Sequence, residues 1–340
     1  MNDIIFINDT NSTLDDEPQT IQDIVFYTNI CIMVIAIIGN IISINVFLKK
    51  NILKKRFNWY LLVSTILEII FCTINMADYM FAIIQDQFLH DYNEISRIII
   101  DFSVHTSDSC IGILALFLSL DRLYAIKHPL DIKEYFTNLH AKLTIGLSLL
   151  ILIILNILSY SLCEMNIFTD VHIVYCALVS PLIFNTIPLI IIFCINLILV
   201  YEIVIYYKKK QSNGGINRSN HELVSTSIEL IDLRKNETSI RKTMEKNLSL
   251  YQKSHYLVIL VSALWSVLTS IPYYSFKSFF LLTESNILKT DFSYSEIYKI
   301  QIVSSIFFNF NHCINFFIYI SFYDDFRKGI RNLIPKLFIN

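Results

Sequence analysis

The sequence predicts an all-α membrane protein, a bundle of seven transmembrane helices followed by a short amphipathic eighth. Three observations carry that prediction. The 340 residues are 54% hydrophobic and 16% charged, with a mean hydropathy of +0.53, whereas soluble domains average about 25% charged residues. The apolar residues gather into long blocks, each able to cross a hydrocarbon core about 30 Å thick. No block has the strict alternation of a membrane β-strand, so backbone groups in lipid must be satisfied within helices.

Residues 1–23 form a polar tail with six acids, no Lys or Arg, and two glycosylation sequons at Asn8 and Asn11. It lacks a basic segment followed by a cleavable apolar core, so no signal peptide is expected to be removed. The membrane domain is expected over 24–321, with spans at about 24–48, 59–85, 95–126, 140–162, 177–207, 254–282 and 297–320. Residues 208–252, rich in Ser, Thr and charge around Gly214-Gly215, read as a linker flexible in its middle. The eighth helix and tail occupy 322–340, where apolar and basic residues alternate as in a helix lying on a membrane surface.

Lys and Arg orient the bundle. Only Arg97, Lys277, Lys289 and Lys299 fall on one side, leaving 23 of 27 basic residues on the other. The positive-inside rule then places the N-terminus outside, the C-terminus in the cytoplasm, and the Asn8 and Asn11 sequons where they can be glycosylated. The chain is thus expected in the plasma membrane, crossing it several times.

A net charge of −2 gives no reason to expect a nucleic-acid partner. No phosphate-cradling glycine loop, metal-binding His-Glu pattern or nucleophile elbow is present, so no enzyme activity, cofactor or metal is expected.

The third span ends in Ser119-Leu120-Asp121-Arg122-Leu123-Tyr124-Ala125-Ile126-Lys127-His128-Pro129. An acid and an arginine stand where a helix meets water, and a proline turns the chain into a loop. The first span carries Gly39-Asn40, and the second begins Asn58-Trp59-Tyr60-Leu61, with Glu68 ten residues on. The sixth holds Pro272, the seventh reads Asn315-Phe316-Phe317-Ile318-Tyr319, and Phe326-Arg327 follow seven residues later. Taken together, these motifs resemble the rhodopsin-like G-protein-coupled receptors over residues 24–334. The resemblance implies that Asp121 holds Arg122 at rest, and that Arg122 reaches a heterotrimeric G protein once freed. It implies that Pro272 lets the sixth helix swing outward. Asn40, Glu68, Asn311 and Asn315 would form a polar cluster at mid-membrane, and Tyr319 and Phe326 would belong to the same activation machinery.

Several family features are replaced. Ser270 stands at the usual tryptophan of the sixth span, Asn196 at a tyrosine of the fifth, and Arg97 at the outer cysteine of the third. Cys163 and Cys176 flank a loop and are expected to form a disulfide in place of the family bridge. A lineage-specific chemosensory or peptide receptor accounts for these replacements, and a degenerate copy is the plainer alternative.

For ligand binding, Arg97, Asp101, His105 and Asp108 follow at spacings of 4, 4 and 3, which sets them on one face of the third span. Charges inside a membrane usually mark function. Asn75 and Asp78 of the second span and Tyr273, Tyr274 and Lys277 of the sixth are the groups expected to face them. His105, one turn from Asp108, is expected to share a proton with it. The expected ligand is an extracellular peptide or small molecule. Two plainer readings remain open at this point: ion pairing within an empty bundle, and a seven-helix transporter or channel. The latter calls for broken helices or a continuous polar lining, whereas the polar residues here concentrate at two ends.

Overall fold

The computed structural model describes residues 17–85, 87–127, 137–164, 185–219, 257–280, 282–283 and 294–333. The long helices are α1 (Glu17–Phe47), α3 (Phe57–Gln85), α5 (Glu94–Lys127), α6 (Asn138–Glu164), α7 (Ile187–Ser219), α8 (Leu257–Phe280) and α9 (Tyr294–Phe322). Short helices α2 (Lys50–Leu53) and α4 (Leu89–Tyr92) join α1 to α3 and α3 to α5, and α10 (Asp324–Arg331) follows α9. Among the described residues, six helices are long and apolar enough to cross a membrane, and α7 contributes a shorter apolar stretch, Ile187–Glu202. The fold is a seven-helix transmembrane bundle with a short amphipathic eighth helix.

Burial runs opposite to that of a soluble protein. Polar side chains such as Asn29, Asn40, Ser43, Asn58 and Glu68 are fully buried, while Leu143, Leu147, Ile151 and Ile154 of α6 point outward. Lipid makes such an exterior favourable, and the interior supplies partners that hydrocarbon cannot. Helix α5 occupies the centre, packed on α3, α6 and α7; α1 closes the ring between α3 and α9.

Two local features shape the bundle. Pro188 has no N–H to give the helix ladder, and just before it the turn at Asn185-Thr186 widens to the π form. Gly39 lets α1 and α9 approach closely, because a Cβ there would sit 2.9 Å from the Phe316 ring. Beyond the apolar block, α7 continues to Ser219, into a stretch the sequence assigns to the linker. Lys208-Lys209-Lys210-Gln211 are good helix formers and carry the ladder past the apolar residues.

Candidate functional site

A cavity of about 70 Å³ lies between α5, α7, α8 and α9. Asp108, Asn185, Ser270, Tyr274 and Asn311 contribute its polar wall, and Leu118, Leu189, Ile192 and Ile259 its apolar wall. Gly112 borders it with open space where a Cβ would stand. Tyr274 donates its hydroxyl to Asp108 Oδ2, and His312 Nε2 approaches Asp108 Oδ1 to 3.9 Å. His312 is 1% exposed, and neither ring nitrogen has a hydrogen-bond partner. Phe71 packs against its ring at 4.0 Å between centroids.

The ligand-face residues are therefore only partly gathered. Asp108 and Tyr274 meet at the cavity, while Tyr273 stacks flat on Phe308, centroids 4.2 Å apart. The expected sharing of a proton between Asp108 and His105 is corrected: the groups that reach Asp108 are Tyr274 from α8 and His312 from α9. Asp78 turns to the outer connection rather than across to α5. It accepts from the His90 backbone N–H at 3.0 Å and contacts His90 Nδ1 at 2.8 Å, tethering α4 to α3. Asp101 stays within electrostatic reach of Lys277, His90, Asp78 and Arg97, and Lys277 acts on both Asp101 and Asp108. His312 was missed by the sequence reading, although a histidine inside an apolar span is itself a signal. So was the Ser262, Ser266, Ser270 stripe, whose spacing of four puts all three on one face of α8.

Along the cavity and beyond it the polar residues join across helices. Ser266 donates to Asn311 Oδ1 at 3.0 Å, and Ser262 to Asn315 Oδ1 at 2.9 Å. Asn315 Nδ2 in turn donates to Glu68 Oε1 at 2.5 Å, and Asn40 reaches Glu68 from α1. The resemblance implied this cluster, and the serines extend it onto α8. Asn196 donates to Ser119 Oγ at 3.1 Å, tying α7 to α5.

At the basic end, Asp121 takes two arginines: Oδ1 lies 2.6 Å from Arg56 Nε, just before α3, and Oδ2 lies 3.9 Å from Arg122 Nε, the looser of the two contacts. Neighbours in sequence do not face each other on a helix, so a cation arriving from another segment reaches Asp121 better. The Arg122 guanidinium rests over the Phe57 ring, 4.1 Å from its centroid. Pro272 stands exposed on the outer face of α8, and Trp265 packs edge-on against Phe310 at 5.6 Å.

Tyr319 and Phe326 are buried together, with ring centroids 5.5 Å apart. Between them in sequence, Tyr323 is fully buried and donates to Asn58 Oδ1 at 2.9 Å; Asn58 donates onward to the Ile52 carbonyl at 2.6 Å. Burial holds the Tyr323 hydroxyl well above the usual tyrosine range, so it stays a donor. Lys55 pairs with Asp325, and Lys49 Nζ donates to the Gly329 carbonyl at 2.5 Å. Cys176, Asn8 and Asn11 lie outside the described residues, and so does the side chain of Cys163.

The family model for the serpentine type 7TM GPCR chemoreceptor Srx matches residues 30–228, more than half of the chain. The chain belongs to this family. No curated protein matches it. The Srx family is one of serpentine G-protein-coupled chemoreceptors, not strictly the rhodopsin-like class that the motifs resemble, and the chain is a multi-pass membrane receptor of that kind. Among the described residues, nothing favours a transporter.

Proposed function

We propose that this Srx receptor sits in the plasma membrane with its N-terminus outside and binds a small extracellular chemical in the cavity between α5, α7, α8 and α9. The observation that carries the reading is the set of α8 hydrogen bonds along the cavity. Tyr274 bonds Asp108 of α5, Ser266 and Ser262 bond Asn311 and Asn315 of α9, and Asn315 goes on to Glu68 of α3. A ligand that shifts α8 at the cavity therefore strains its bonds to α9, and binding selects the conformation in which those bonds open. Arg122, resting on Phe57 in this conformation, then engages a heterotrimeric G protein beside the basic loop ends.

The test is ligand-driven nucleotide exchange in cells co-expressing the receptor and G-protein α subunits. Arg122→Ala is expected to reach the surface normally and to lose the ligand response. A full response from that variant would remove Arg122 from the coupling site.

A further inference from the structure

We propose that the groove on the outward side of the α8–α9 seam is a second binding site, which takes an amphiphile with an anionic head and a hydrocarbon tail from the extracellular phase and seats the head on Lys299. Leu268, Pro272 and Phe276 of α8 line this groove, whereas Ser266, Ser270 and Tyr274 line the Asp108 cavity. The two sets are offset by two positions, about 200° around the helix, and so lie on opposite faces of it. The extracellular source rests on the orientation proposed above; the site itself does not.

The walls suit a tail. The groove has a volume of about 500 Å³, within the range of about 300–1,000 Å³ that ligand pockets occupy. It follows α9 from Lys299 to Phe307, about 12 Å at 1.5 Å per residue, and α8 lines it over an equal length from Phe276 to Leu268. Leu268, Ile300, Val303 and Phe307 present exposed apolar surface. The two hydroxyls of the lining, Thr269 and Ser304, are buried and committed to carbonyls of their own helices, Thr269 to Trp265 at 2.9 Å and Ser304 to Gln301 at 2.7 Å. Pro272 also lines the groove, so an occupant meets α8 where a missing N–H lets the helix bend.

Charge sets the head group. Lys299 is the one charged residue of the lining, and it stands where the α9 span begins. It is partly buried, and no ion pair reaches it from the described residues. An ammonium is a compact point charge with three donors and no acceptor, so its complement is an anion. At a membrane boundary the dielectric falls below that of water, which strengthens the attraction. A neutral alcohol gains nothing from the charge, and an alkylammonium is repelled. Anionic phospholipids concentrate in the cytoplasmic leaflet, whereas Lys299 stands at the outer end of its span. The anion is therefore expected from outside, as a free amphiphile such as an alkyl carboxylate.

The experiment uses the full receptor in phosphatidylcholine nanodiscs and dodecanoate carrying a photoreactive diazirine in its tail. Irradiation is expected to label Leu268, Ile300, Val303 or Phe307 of the lining, as read by peptide mass spectrometry. At equal membrane concentration, plain dodecanoate should compete with the label, and dodecanol and dodecylammonium should not. Lys299→Gln is expected to raise the half-saturating dodecanoate concentration about tenfold. Val303→Trp, which fills the groove and leaves the lysine in place, should reduce labelling as well. Equal competition by all three amphiphiles would mean ordinary lipid contact and overturn the site, a comparison made on the parent receptor alone. Labelling unchanged in both Lys299→Gln and Val303→Trp would overturn it too. Phosphatidylglycerol in the discs competing as well as dodecanoate would make the occupant a membrane phospholipid and overturn the extracellular source. Both faces of a disc meet solvent, so binding is read whichever way the receptor is oriented. Inverted orientation in cells would overturn the source and leave the site.

Discussion

Arg56 lies one residue before α3, yet it sets the resting geometry at the end of α5. Its guanidinium holds Asp121, whose side chain is 4% exposed, at 2.6 Å. Removing one partner of a buried ion pair strands the other, at a cost of about 3 kcal/mol or more. Arg56→Ala is therefore expected to lower the melting temperature of the solubilised receptor, and Arg56→Lys to lower it less. The two variants are compared with the parent by thermal unfolding in detergent. Equal melting of Arg56→Ala and parent would show that the ion pair contributes nothing net. Arg122 tells the companion story. It lies over the Phe57 face as well as beside Asp121, so its release depends on how α5 and the start of α3 move relative to each other.

At the scale of elements, the seam between α8 and α9 and the seat of α10 are the two joints that matter. Ser262 and Ser266 each contribute one interhelical hydrogen bond, worth about 0.6 kcal/mol apiece in a membrane. Losing both shifts the balance toward a displaced α8 by about 1.2 kcal/mol, or roughly sevenfold in population. The double variant Ser262→Ala, Ser266→Ala is expected to raise ligand-independent nucleotide exchange accordingly. Basal exchange no higher than the parent's would show that this seam does not restrain α8.

Helix α10 is seated by Phe326, fully buried against Phe47 at 5.4 Å, and by the Lys49 and Lys55 contacts. Its acids Asp324 and Asp325 lie in the first turn and Lys328 and Arg331 in the last, which complements the helix dipole. Gly329 permits the close approach to α1: a Cβ there would stand 2.5 Å from Val46 Cγ1. Gly329→Ala is expected to destabilise the receptor by about 1–3 kcal/mol through overpacking, and Val46→Ala in the same chain to restore part of the loss. Melting curves of the single and double variants check this, and additive losses would contradict a steric cause.

For the whole molecule, orientation is the prediction that follows from charge. With 23 of 27 basic residues on one side, an epitope at the N-terminus is expected to stain intact cells, and one at the C-terminus only permeabilised cells. The reverse pattern would invert the receptor and place the Asp108 cavity toward the cytoplasm.

The sequence by itself determined the class of fold, because hydropathy blocks and the ban on unpaired backbone groups in lipid leave helices as the one solution. It also located Asp108, Tyr274, Glu68, Asn315 and Arg122, since ionisable and amide side chains inside apolar spans stand out without any coordinates. Partnership was another matter. Which cation holds Asp121, which hydroxyl reaches Asp108, and that Asp78 turns to His90 were decided by helices distant in sequence: Arg56 arrives from the α2–α3 connection, Tyr274 from α8 and His90 from α4. Periodicity fixes which face of a helix a residue occupies, but not the rotation and depth at which that helix meets its neighbours. Those are set by close approaches such as Gly39 on Phe316 and Gly329 on Val46, and they exist only once the bundle is packed.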